Sequence, residues 1–172
     1  MQKLQRIGVL LFVLFVSVGC DQGAKAVAQR YLSPAPRSYV YDLFRLQFAQ
    51  NNGAFLSLGA ILPAQMRFWV FTVLVGLILL GLFIFAIGIA PKSSLTLLIA
   101  LALILGGGIG NLLDRVLHNG LVVDFMNIGI GPLRTGIFNV ADMTLMAGIA
   151  LLALHEMRRG ARAAERSTDN AE

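Results

Sequence analysis

The chain has 172 residues, 57% hydrophobic and 13% charged, with a mean hydropathy of +0.76, a balance that excludes an ordinary soluble domain and leaves one integral membrane domain. The net charge of +5 does not indicate nucleic acid, because many basic residues flank apolar runs and none gather with interleaved aromatics. The single Cys20 excludes an intrachain disulfide and a multi-cysteine zinc site, and His118 and His155 lack HExxH spacing, so neither metal nor cofactor is expected and chemistry falls to carboxylates, amides and hydroxyls.

Lys3 and Arg6 precede an apolar run from Ile7 to Gly19, a pattern shared by signal peptides and first transmembrane helices. Ser17-Val18-Gly19-Cys20 also resembles the lipobox of a lipoprotein precursor, in which case the protein would be a lipidated substrate cut before Cys20. The helical pattern nevertheless continues to Gln29, and Asp21 and Lys25 stand four apart in the order that favours an ion pair. An uncleaved first helix over about residues 7–29 is therefore preferred. If not lipidated, Cys20 is expected to be a small buried apolar residue.

Residues 30–67 are polar and mixed, and Pro34 and Pro36 end the helix. Within them Phe44-Arg45-Leu46-Gln47-Phe48 alternates with the period of a half-buried strand. Phe68 to Ala90 is long enough to cross a bilayer of about 30 Å at about 1.5 Å per residue, and it opens with the interfacial aromatics Phe68, Trp69 and Phe71. Pro91 to Ser94 makes the turn, and a helix over about 95–114 crosses back. After it, Asn119-Gly120 is a turn signal and Leu121 to Ile128 a second candidate strand. The last crossing, about 137–157, carries Asn139 and Asp142 in its first turns.

The expected fold is an all-α membrane protein with four transmembrane helices and a small extracytoplasmic β element, with Asp124 on or beside that element. One embedded domain fills 1–158, with outer segments at about 30–67 and 115–136; 159–172 is expected to be a disordered cytoplasmic tail. Orientation follows from Lys3, Arg6, Lys92, Arg158, Arg159, Arg162 and Arg166, which all fall inside when both termini are cytoplasmic.

On this topology the polar residues of the spans gather at their outer ends: Asp21 and Lys25, then Asn111, Asp114 and Arg115, then Asn139 and Asp142, with Asp124 and Asn51 in the connecting segments. A carboxylate at membrane depth costs about 2.5–3.5 kcal/mol and is usually functional. Two acids that approach closely share one proton, one serving as base toward water and the other as acid toward a carbonyl, so Asp124 and Asp142 are the candidate catalytic pair. Asparagines and Arg115 would hold substrate backbone or developing charge, while Asp114 would pair with a cation or cap its helix. Gly106-Gly107-Gly108-Ile109-Gly110 lacks the Gly-Lys-Ser/Thr ending of a phosphate loop, so close helix packing is preferred. A Ser57 and His118 protease has no supporting motif. A channel or transporter would carry its acids along a through-path, whereas these gather at one level.

These residues together resemble the lipoprotein signal peptidase family, bacterial inner-membrane aspartyl proteases also called signal peptidase II. Asp21-Gln22-Gly23-Ala24-Lys25 resembles its first-helix signature, Asn51 to Ser57 its Asn-x-Gly-Ala segment, and Gly106 to Arg115 its Gly-Gly-x-x-Gly-Asn-Leu-x-Asp-Arg. Gly120 to Phe125 and Phe138 to Asp142 resemble its two catalytic motifs. The resemblance implies four transmembrane helices, an extracytoplasmic β element and an Asp124/Asp142 dyad. It further implies a substrate site shaped by Asn51, Gly53, Asn111, Arg115 and Asn139, with Asp21, Lys25 and Asp114 in support. It implies that diacylglyceryl-modified prolipoproteins are taken from the membrane lipid and cut N-terminal to the modified cysteine; separately from the resemblance, a monomer is expected. Ala24, Phe55-Leu56 and Thr135-Gly136 depart from the family pattern and bear on substrate preference.

Overall fold

The structure, a computed structural model, describes residues 3–51 and 62–169. Four helices are long and apolar enough to cross a membrane: α1, Lys3–Tyr31; α2, Ala64–Ile89; α3, Leu95–Leu117; and α4, Val140–Asp169, whose spanning part is Val140–Arg162. Their outward faces carry Phe12, Phe15, Leu77, Ile84 and Phe85, each more than half exposed, as suits helices that face acyl chains. Each helix extends a few residues past the span expected from hydropathy at one end or both. The largest difference is α4, which stays helical through 159–169, where the sequence suggests a disordered tail; the alanines at 161, 163 and 164 supply the propensity.

Helix α3 is the central one and packs against the other three. Leu98, Leu101, Ala102 and Leu105 meet Leu10 of α1 and Leu79 and Ala86 of α2 in the buried core. Its glycine run permits this, because successive residues point about 100° apart. A Cβ at Gly106 would lie 2.5 Å from Ser17 Cβ on α1, one at Gly108 2.5 Å from Leu79 Cδ2 on α2, and one at Gly107 against Ala141 O and 2.8 Å from Leu145 N on α4. Gly107→Ala meets backbone, which cannot swing aside. It is expected to destabilise the protein by about 1–3 kcal/mol, as over-packing does, and to lower the thermal midpoint accordingly.

Helix α3 begins at Ser94, whose hydroxyl accepts the Leu97 N–H at 3.2 Å. It ends in a Schellman turn: Asn119 adopts φ 54°, and the Gly120 N–H reaches back to Arg115 O at 2.7 Å. Cys20 is exposed on α1 and not buried as expected, because the neighbouring Asp21 takes the inward face.

At one end of the bundle stands a four-stranded antiparallel sheet in the order β1 (Arg37–Tyr39), β2 (Phe44–Asn51), β3 (Val122–Ile130), β4 (Leu133–Arg134). Strands β2 and β3 are those expected from the sequence; β1 and β4 are additions of three and two residues. A bulge between Leu46 and Ala49 breaks the β2–β3 register: Leu46 faces Met126, but Ala49 faces Asp124 and Asn51 faces Val122. Continued without the bulge, the earlier register would set Asn51 opposite Leu121 and so on the other face from Asp124. The extra residue puts the two side chains on one face, two positions apart along β3.

The β1–β2 turn holds Val40, Tyr41 and Asp42 at φ 51°, 52° and 67°. Asp42 secures it, accepting from Ser38 Oγ at 2.7 Å and from Arg45 Nε at 2.6 Å, while Arg134 Nη1 donates to Asp42 O at 2.8 Å. The Arg45 hydrogen bonds, with that of Ser38, hold the Asp42 carboxyl well below the usual carboxylate range.

Candidate active site

The site is assembled where α4 begins beneath the sheet. Asn139 precedes α4 and caps it, its Oδ1 accepting the Asp142 N–H at 2.9 Å. Asp142 answers, its Oδ2 accepting the Asn139 N–H at 3.1 Å, so the two form a capping box that fixes the Asp142 carboxyl. The other oxygen, Oδ1, accepts from Asn111 Nδ2 at 2.8 Å.

Asn139 also reaches the second acid. Its Nδ2 donates to Asp124 Oδ1 at 2.7 Å, with Asn111 Oδ1 at 3.0 Å and Val123 O at 3.3 Å sharing that amide. Asp124, 2% exposed on β3, accepts at Oδ2 from Asn51 Nδ2 at 3.0 Å, the contact the bulge makes possible. Asp124 and Asp142 are thus both bonded to Asn139. Burial pushes the Asp124 carboxyl up to about 6 and the charge of Asp142 adds to this, against the opposing pull of the Asn51 and Asn139 hydrogen bonds and of Lys25.

Behind the pair lies a buried ion cluster. Lys25 Nζ makes three contacts with its three N–H donors: Asp21 Oδ2 at 2.7 Å, Asp114 Oδ2 at 3.0 Å and Asn111 Oδ1 at 3.1 Å. An ammonium can only donate, so Asn111 must turn its oxygen to Lys25 and its NH₂ to Asp142. Each supporting acid then takes a backbone N–H. Asp21 Oδ1 accepts from Ala141 at 2.8 Å, and Asp114 Oδ2 from Val123 at 2.9 Å. Those are the residues immediately before Asp142 and Asp124.

The structure therefore joins Asp21, Lys25, Asn51, Asn111, Asp114, Asp124, Asn139 and Asp142 in one hydrogen-bonded network. Arg115 borders it, donating to Asn111 O at 3.2 Å with its guanidinium 5.9 Å from the Phe71 ring, and its charge is attracted by those of Asp142, Asp114 and Asp124. Gly53 and Ser57 lie outside the described residues. The His118 ring contacts Gln29 at 3.5 Å, and no hydrogen bond joins the ring to a serine or an acid among the described residues. Sequence reasoning left Gln22 without a role. Its Nε2 bridges Asp114 Oδ1 at 3.0 Å, Gly110 O at 3.1 Å and Asp21 Oδ2 at 3.2 Å, and its position three before Lys25 was the available signal. Thr135, one of the departures, fastens the end of β3: its Oγ1 accepts from Ile128 N at 3.1 Å and its carbonyl from Asn127 Nδ2 at 2.6 Å.

Four apolar spans with a buried cluster of carboxylates and amides at one end, under a small sheet, describe a multi-pass membrane enzyme. Solved bacterial membrane enzymes share the architecture. One determined by the in meso method at 2.3 Å resolution superposes with a TM-score of 0.74 at 28% identity, covering 91% of this chain and 92% of that one. The family profile described as signal peptidase (SPase) II matches residues 13–158, and the chain belongs to that family. Among relatives, the lipoprotein signal peptidase of Borrelia hermsii is 34% identical over 157 residues, 88% of this chain and 90% of that protein. That of Caldanaerobacter subterraneus subsp. tengcongensis is 38% identical over 148 residues, 85% and 91% of the two chains.

Proposed function

We propose that this peptidase removes signal peptides from bacterial prolipoproteins by cutting N-terminal to a diacylglyceryl-modified cysteine, with Asp124 and Asp142 acting on one water. The observation that carries the proposal is the shared Asn139, which binds both carboxyls at once at the sheet end of the bundle. Asp124, pushed up to about 6, holds the shared proton, and Asp142 serves as the base. Asp142 takes a proton from water as its oxygen bonds to the scissile carbon, while Asp124 donates its proton to the carbonyl oxygen. The tetrahedral diol then collapses: Asp142 passes its proton to the leaving amine, the C–N bond breaks, and a hydroxyl proton returns to Asp124. The pair ends in its starting state, with no metal or cofactor in the scheme.

In this proposal both termini lie in the cytoplasm, the site lies near the outer surface of the inner membrane, and residues 1–158 form one peptidase domain acting as a monomer. The basic residues at the far ends of the helices support the orientation. Asn51, Gly53, Asn111, Arg115 and Asn139 line the substrate's path, and the acyl chains of the substrate cysteine stay in lipid.

The test is cleavage of a synthetic prolipoprotein peptide with and without the diacylglyceryl group, with products located by mass spectrometry. Cutting before the modified cysteine, at least about 100-fold slower without the lipid, is expected, since remote binding energy would be lost. Equal rates on both peptides would remove the lipid from the specificity. The protonation scheme makes a separate prediction. Above a pH of about 6 the pair loses its proton, so kcat/KM should fall about tenfold per unit with an alkaline midpoint near 6. A profile flat from pH 5 to 8 would contradict a proton held on Asp124.

A further inference from the structure

The end of the bundle opposite the carboxylate pair carries a second polar site that this reaction does not use. A groove of about 760 Å³ opens between the start of α3 and the later turns of α4. From α4 it is lined by Arg158, Arg159 and Arg162 with His155, and from α3 by Ser94 and Thr96. The first N–H groups of α3 lie at this wall, so the helix terminus adds to the positive field. Arg6 of α1 donates to the carbonyl of Ser93, next to the lining Ser94, and brings a further cation to the rim. Glu156 approaches Arg159 at 3.9 Å, but among the described residues no carboxylate lies within 4 Å of Arg158 or Arg162. The remaining lining residues, Leu151 and Leu154, sit one to two turns further into the apolar part of α4.

We propose that this groove binds the phosphodiester headgroup of an anionic phospholipid, whose acyl chains run along Leu151 and Leu154. The arginines and the α3 terminus suit a phosphate anion, and Arg in particular suits its bidentate recognition. Two observations favour a lipid over free phosphate. The groove is far roomier than one phosphate requires, and its leucines continue from the arginines into the apolar span, where Leu154 is 50% exposed.

The test uses the full-length protein in neutral detergent, followed by thermal unfolding during separate titrations with dioleoyl phosphatidylglycerol, dioleoyl phosphatidylcholine and sodium phosphate. Phosphatidylglycerol should raise the midpoint saturably, and the other two should not. In the double variant Arg158→Gln, Arg162→Gln the half-saturating concentration should rise about 25-fold, about fivefold for each basic side chain lost near an anionic headgroup. Arg158→Lys with Arg162→Lys keeps the charge and should stay within about fivefold of wild type. The proposal is overturned if phosphatidylcholine stabilises as well as phosphatidylglycerol, if phosphate alone reproduces the shift, or if the glutamine variant responds like wild type. The first two outcomes are read on wild type and need no variant to fold. None of the readouts involves peptide cleavage, so failure here leaves the proposed reaction untouched.

Discussion

Asp124→Asn and Asp142→Asn are each expected to lose at least about 10²- to 10⁴-fold in kcat, the usual contribution of a positioned acid or base. Asparagine keeps the shape but cannot exchange the proton. It also alters the hydrogen bonding. Asp124 accepts amide donors on both oxygens, from Asn139 at 2.7 Å and Asn51 at 3.0 Å, so an NH₂ in its place must face one of them donor to donor. Such a buried mismatch costs about 1–3 kcal/mol, and each variant should therefore melt a few degrees lower while remaining folded. Turnover must be compared on protein shown by its melting transition to be intact. If an intact variant cleaves lipidated peptide within tenfold of wild type, that aspartate is structural and the two-acid reaction fails.

Lys25→Met should cost more in stability than any other single change in the site. It leaves Asp21 and Asp114, 0% and 1% exposed, without their shared cation, and breaking a buried ion pair from one side costs about 3–5 kcal/mol. At about 2–4 °C per kcal/mol for a chain of this size, the midpoint should fall by roughly 6–20 °C. Adding Asp21→Asn and Asp114→Asn removes the stranded charges and should recover much of that loss. Activity should not return with it. Without the ammonium the Asn111 oxygen keeps only the Asn139 amide, which is shared with Asp124 and Val123 O, so the Asn111 NH₂ is held less firmly on Asp142 and the triple variant should stay low in kcat with KM little changed. Full recovery of kcat alongside stability would show that Lys25 acts on folding alone.

The parts of the architecture legible in the sequence were those with a long period. Four apolar runs announced four spans, and the strand around Phe44 to Phe48 announced β2 by its alternation. The pairing of Asp21 with Lys25 followed from helical spacing, and the packing role of Gly106 to Gly110 from its place inside an apolar run. Strands β1 and β4, three and two residues long, have no room for a period. The bulge that brings Asn51 to Asp124 depends on how two strands meet across more than seventy residues, which no local pattern records. The Asn139-x-x-Asp142 spacing is also that of a capping box, a second role that the chemistry of the acid alone does not announce. That the same carboxyl caps α4 and faces Asp124 through Asn139 required coordinates.

The ion cluster also bears on how the protein can be made. A growing chain delivers α1 to the bilayer first, long before residues 111–142 exist. A lone aspartate or lysine at membrane depth would resist insertion, but Asp21 and Lys25, one turn apart and 2.7 Å from each other, enter as a self-neutralised couple. Lys25 then has two N–H donors still to place, and Asp21 retains an oxygen for a later amide. Helix α3 answers with Asn111 and Asp114, and the start of α4 with the Ala141 N–H. The first helix thus enters the membrane carrying unfilled valences, and only the arrival of the last one closes them.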